Sequence, residues 1–241
     1  MFESWFLPPV LALVAGILAL APLGVQVLQR GVVFIDLAVA QAAAAAALAA
    51  LALGEHPAWI ITQLTAAAGA LLAAGVVAAL ARTWPEHREA LIGLVYVACA
   101  CAALLVARSD THGAEHLHTL LAADVLWSGW PQVIILLGCA SGVAIIGSKR
   151  LAHDGWFFTV FALVASLAVQ VLGLFIVFAA LIAPGLWQRS GLAKSIATGI
   201  ALAAALVGLT ASWIFDAPSG PLVALALALC GAASSLRKFR T

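Results

Sequence analysis

The chain has 241 residues, of which 65% are hydrophobic and 9% charged, with a net charge of +1. Soluble domains carry roughly a quarter charged residues, so this chain could not cover a water-facing surface of its own. Near-neutrality also argues against nucleic acid as a partner, whereas a bilayer suits the composition because each helix satisfies its own backbone and turns apolar side chains to lipid.

A spanning helix needs about 20 apolar residues. Runs of that kind predict spans near 6–27, 32–53, 58–81, 90–107, 131–148, 156–170, 172–187, 195–214 and 219–235. The fold class is therefore all-α: a polytopic transmembrane bundle of 8–9 spans, with residues 1–241 forming a single domain. The first span lacks a basic leader and a small-residue cleavage site, so it reads as a retained helix. The run from Trp156 to Trp187 is too long for one helix and short for two. Lys149 and Arg150 precede it, and Arg189 and Lys194 follow it. Both ends should therefore lie on one side, which predicts a tight hairpin breaking between Gln170 and Gly173.

Charge then orients the bundle. Ten of the eleven Lys and Arg residues fall in gaps that can share one side: Arg30; Arg82 and Arg88; Lys149 and Arg150; Arg189 and Lys194; Arg237, Lys238 and Arg240. Only Arg108 is left over. Basic residues are retained in short cytoplasmic loops, so the expected arrangement is a multi-pass protein of a bacterial inner membrane, N-terminus outside and C-terminus cytoplasmic. All eight tryptophans, from Trp5 to Trp213, lie at proposed helix ends, where an indole buries its ring and keeps its N–H wet. The Ala-rich stretches (Ala42 to Ala50, Ala66 to Ala68, Ala203 to Ala205) predict close helix contacts. Cys99, Cys101, Cys139 and Cys230 lie inside spans and offer no disulfide framework.

Polar chemistry is concentrated in few places. Asp36 lies early in the second span, where a carboxylate costs roughly 2.5–3.5 kcal/mol on insertion scales and must face the bundle interior, a water path or a partner. Pairing with Arg30 is the plain alternative to a place on a translocation path. Gln41 lies deeper on the same helix, about 140° around from Asp36 at 3.6 residues per turn. Gln63 and Gln170 read as hydrogen-bonding partners between helices. Between the fourth and fifth spans, His112, Glu115 and His116 share a helical face, with His118 close by. Imidazole with carboxylate suits Zn²⁺, and also Mn²⁺ or Fe²⁺. The string from His112 to His116 also fits the H-x-x-E-H pattern of inverted zinc peptidases, a lesser alternative because no second acidic motif follows. Lys149, Arg150, His153 and Asp154 occupy the short gap before Trp156 and are candidates for contact with a partner subunit.

Several stretches resemble the metal-ion ABC transporter permeases of the zinc and manganese type. They are Pro22 to Asp36, Glu89 to Tyr96, Leu172 to Pro184, and Asp216-Ala-Pro218-Ser219-Gly220, in that order along the chain. The resemblance implies a metal importer working by alternating access, with no permanently bound cofactor. It also implies a homodimer or paired permease, a cytoplasmic ATP-binding subunit on each half and a periplasmic metal-binding protein. The family's second-helix motif, an aspartate with a histidine four residues on, aligns with Leu37 and Gln41; the acid appears one place early, as Asp36. The family's ATPase-docking stretch is cut here to Leu151–Gly155. Asp36 and Gln41 are then expected to line the path, His112, Glu115, His116 and His118 to receive zinc at the outer mouth, and the gap at Lys149 to couple to the ATPase. A metal transporter on this scaffold that needs no ATPase is the alternative raised by the short gap.

Overall fold

A computed structural model describes residues 4–53, 59–108 and 125–238. Among these residues there are nine α-helices and no strand. They are α1 (Leu7–Arg30), α2 (Ile35–Leu53), α3 (Trp59–Thr83), α4 (Arg88–Ala107), α5 (Trp130–Leu151), α6 (Asp154–Leu172), α7 (Leu174–Arg189), α8 (Lys194–Phe215) and α9 (Ser219–Lys238). Eight are long and apolar enough to cross a membrane; α7, with 16 residues, is the short one.

Local chemistry sets the boundaries. Prolines at the start of α1 lack N–H groups that the first turn leaves unpaired anyway. Its end is a left-handed Gly31, whose N–H donates to Leu28 O while Val32 N–H reaches Val27 O, so the last carbonyls are satisfied. The Trp156–Trp187 run breaks as expected. Gly173, at φ 80° and ψ 158°, both ends α6 and begins α7. A side chain there would be strained, and the single residue turns the chain back without a loop. Leu172 packs against Gly16, in the middle of α1, so this turn lies inside the bundle. Irregular backbone at that depth is tolerated because protein surrounds it.

Small residues decide how closely the helices approach. A Cβ on Gly24 of α1 would sit 1.8 Å from the Leu181 carbonyl oxygen of α7, so the two backbones touch there. The Ala-rich face of α2 does the same for α3, where Gly69 lies against the Ala42 carbonyl.

The helices form two packing groups. In one, α2 holds α3 and α4; in the other, α1 packs on α5 and α7, and α9 on α7 and α8. Helix α6 lies between them, against α3 on one side and α1, α5 and α7 on the other. Although α1 and α2 are joined by only four residues, they make almost no contact with each other. The centre of the bundle is α1, α2 and α6, each more than three-fifths buried, while α4 and α5 show most of their surface outward.

Most tryptophans lie at helix ends with exposed rings, as expected: Trp84, Trp127, Trp130, Trp156 and Trp213 are all about half exposed or more. Trp187 differs. Its indole N–H donates to the Cys230 carbonyl at 3.0 Å and so ties α7 to α9 instead of meeting water. All four cysteines are free thiols.

Candidate functional site: a buried carboxylate above a charged clasp

After Gly31 the chain runs through Val32 to Phe34 and enters α2 at Ile35, so Asp36 falls in the first helical turn, shallower than the sequence suggested. Phe34 stacks on Phe178 of α7 with centroids 6.4 Å apart and planes 7° from parallel. Asp36 is completely buried, and neither carboxylate oxygen has a hydrogen-bond partner among the described residues. Gln41, five residues on, is also buried. Helix α2 is enclosed by α3, α4, α6 and α7, so two residues on different faces can both be inside.

The expected alternative for Asp36, a pair with Arg30, does not form. The Arg30 Nε lies 3.0 Å from Asp154 Oδ1, at the start of α6. Its Nη1 donates to Gln26 Oε1 at 2.6 Å, and its Nη2 to the carbonyls of Ala152 at 2.7 Å and Leu151 at 3.2 Å. The guanidinium also lies 4.3 Å above the Phe157 ring. A planar group with five donors can meet all these acceptors at once, which an ammonium cannot. Once Arg30 is committed to the α5–α6 segment, Asp36 is left alone.

Other charged groups close on the same turn. Arg88 donates to the Arg30 carbonyl, an acceptor at the end of α1, and Arg189 to the Leu28 carbonyl, which also accepts from Gly31 N–H. Glu89 Oε1 accepts from Val33 N–H at 2.7 Å. Arg82 approaches Asp154 Oδ2 at 3.8 Å. Four of the arginines assigned from sequence to one side are thus gathered in space at one end of the bundle.

The α5–α6 segment has its own geometry. Gly147, at φ 70° and ψ 164°, interrupts the end of α5, and a short helical turn follows before α6 starts at Asp154. The side chain of Leu151 is fully buried and anchors this turn, while Lys149, Arg150 and His153 are exposed. Asp154 pairs with the arginines while its side chain stays 43% exposed. Sequence reasoning missed the network of Arg30, Arg88, Glu89 and Arg189; the one available signal was their placement beside predicted helix ends.

In the interior, Gln63 Nε2 donates to Gln170 Oε1 at 2.6 Å, joining α3 to α6 as the sequence suggested. At the end opposite the clasp, Trp5, Trp127, Trp213 and Asp216 line an open cleft of about 410 Å³. His112, Glu115, His116 and His118 lie outside the described residues. Among the described residues no three His, Cys, Asp or Glu side chains come together.

The described residues thus form a bundle centred on three buried helices, with one buried carboxylate inside and a short exposed turn between two of its helices. Residues 141–238 match the model of the ABC 3 transport family. A chain in the solved structure of PsaBC from Streptococcus pneumoniae in complex with Fab has the same fold, with a TM-score of 0.75 over 97% of this chain and 91% of that one; identity is 15%, so the likeness is one of fold. No curated protein sequence matches the chain. The family match covers residues 141–238 of the 241, and the likeness of fold extends over nearly the whole chain.

Proposed function

We propose that the chain is the permease subunit of an importer for divalent metal ions, with zinc as the cargo, driven by a cytoplasmic ATPase and fed by a periplasmic metal-binding protein. The observation that carries this is the buried Asp36 carboxylate with no partner. An unpaired buried carboxylate is expensive, and a cation in transit is the partner that would offset the cost. Gln41 would supply a neutral oxygen further along α2. A single carboxylate with an amide is a weak set of ligands, which suits a step the ion must leave; a closed four-ligand site would hold it.

In this reading His112, Glu115, His116 and His118 receive the ion at the outer face, with imidazole and carboxylate matching zinc. Lys149, Arg150 and His153 meet the ATPase from the exposed side of the α5–α6 segment. Two copies of the chain pair in a bacterial inner membrane, N-termini outside. The test is metal accumulation in cells with and without the gene, offering zinc, manganese and iron in competition. Loss of zinc uptake on deletion, reproduced by Asp36→Ala, is the expected result. Unchanged levels of every metal would sink the proposal, and loss of manganese instead would change the cargo. His112→Ala with His116→Ala is expected to slow uptake at low zinc while leaving the fold intact. Full uptake in that double variant would remove the entrance role.

A further inference from the structure

We infer that Arg30 is the coupling residue of this permease: it links the ATPase-facing turn between α5 and α6 to the helix that carries Asp36. The inference rests on the transport reading above and adds to it a named path for the conformational signal.

The turn after Gly147 has two surfaces. Its outer one presents Lys149, Arg150 and His153; its inner one is held by the buried Leu151 side chain and chiefly by the Arg30 guanidinium, with Arg82 at 3.8 Å from Asp154. Arg30 binds the carbonyls of Leu151 and Ala152 and the carboxylate of Asp154 together, and stacks on Phe157 one turn into α6. A displacement of the turn is therefore delivered to Arg30 before any other residue of α1.

Arg30 also stands at the joint of the molecule. It ends α1, which belongs to one packing group; four residues later α2 begins the other. Since α1 and α2 scarcely touch, their relative position is set by the turn between them and by what grips it. Arg88, Glu89 and Arg189 grip it through backbone groups at Arg30, Val33 and Leu28, bringing in α4 and α7. Asp36 follows in the first turn of α2. Movement at residues 151–154 thus reaches the buried carboxylate through six residues of chain whose backbone is pinned from three helices. Arg30 touches no cargo in this scheme; it is a positioning residue.

The test uses the permease assembled with its ATPase in liposomes, measuring zinc entry and ATP hydrolysis in the same preparation. Arg30→Lys keeps a charge for Asp154 but loses the fork to the two carbonyls, and Asp154→Asn keeps the carbonyl contacts but loses the ion pair. The expected result is that both variants still bind the ATPase and hydrolyse ATP, while zinc carried per ATP falls about tenfold in Arg30→Lys and less in Asp154→Asn, within the range of measured coupling between sites. Hydrolysis and uptake falling in proportion would mark Arg30 as merely structural and overturn the inference, as would an unchanged ratio in Arg30→Lys. If the unaltered permease carries no zinc with ATP, the transport reading itself fails, and the inference with it.

Discussion

Two carboxylates define two regions of this bundle. Asp154, at the charged end, is half exposed and meets Arg30 and Arg82, with arginine-to-carbonyl contacts all around it. Asp36 is fully buried and has no ion-pair or side-chain partner among the described residues. The side chain that water could have solvated is the one the protein pairs, and the one that needs a partner has none. Asp154 is satisfied within the chain, and under the transport reading Asp36 is left for a cation from outside it. The two regions are joined by the turn from Gly31 to Phe34, so one is placed to act on the other.

This contrast can be broken at either region. Removing the guanidinium should have the largest effect. Arg30→Ala leaves two carbonyls and a carboxylate without their donor and is expected to cost about 3 kcal/mol, the upper end for hydrogen bonds to a charged group. Thermal unfolding in detergent reads it, and an unchanged midpoint would mean the clasp holds nothing. Asp36 should behave in the opposite sense. Asp36→Leu removes a buried carboxyl group without a side-chain partner and is expected to stabilise by about 2 kcal/mol while abolishing zinc uptake. A less stable protein with uptake intact would show that Asp36 is a packing residue after all.

Smaller effects sharpen the same contrast. Gln170→Leu breaks the Gln63 bridge between α3 and α6 and should cost about 0.6 kcal/mol, typical of a hydrogen bond between membrane helices. Denaturant titration with the Gln63→Leu single and double variants isolates that coupling. Least of all, Arg82→Ala should change stability by under about 0.5 kcal/mol, because Arg82 is two-thirds exposed and 3.8 Å from Asp154. A double-variant cycle with Asp154→Asn that gave a large coupling would place Arg82 inside the clasp alongside Arg30.

Much of the fold was legible because a bilayer imposes simple rules. Apolar length marked the helices, basic residues marked one end, and glycine marked the turn at Gly173. Gln63 and Gln170 could each be read as an interhelical hydrogen bonder because an amide inside a membrane needs a partner, but the sequence did not show that they would meet each other. The candidate site was legible only in part. Asp36 stood out as a charge at depth, but the sequence offered Arg30 as its nearest cation and could not show that Asp154, more than a hundred residues away, would claim that arginine first. The pairing of Asp154 and the break at Gly147 were likewise hidden, since both depend on how α5 and α6 meet α1. Contacts between distant helices are decided by packing, which no local pattern records.

The close fit of Gly24 against Leu181 has a consequence for how the protein is made. Helices α2, α3 and α4 can settle on one another as soon as the ribosome has delivered them. Helix α1 cannot: the surfaces that cover it, on α5 and α7, are synthesised on the order of ten seconds later at ordinary elongation rates. Through that interval it stands in lipid with its glycine groove open. Chains stalled before Trp130 should therefore show a packed α2–α4 unit by cross-linking and an unpartnered α1. The first helix to enter the membrane is among the last to find its place.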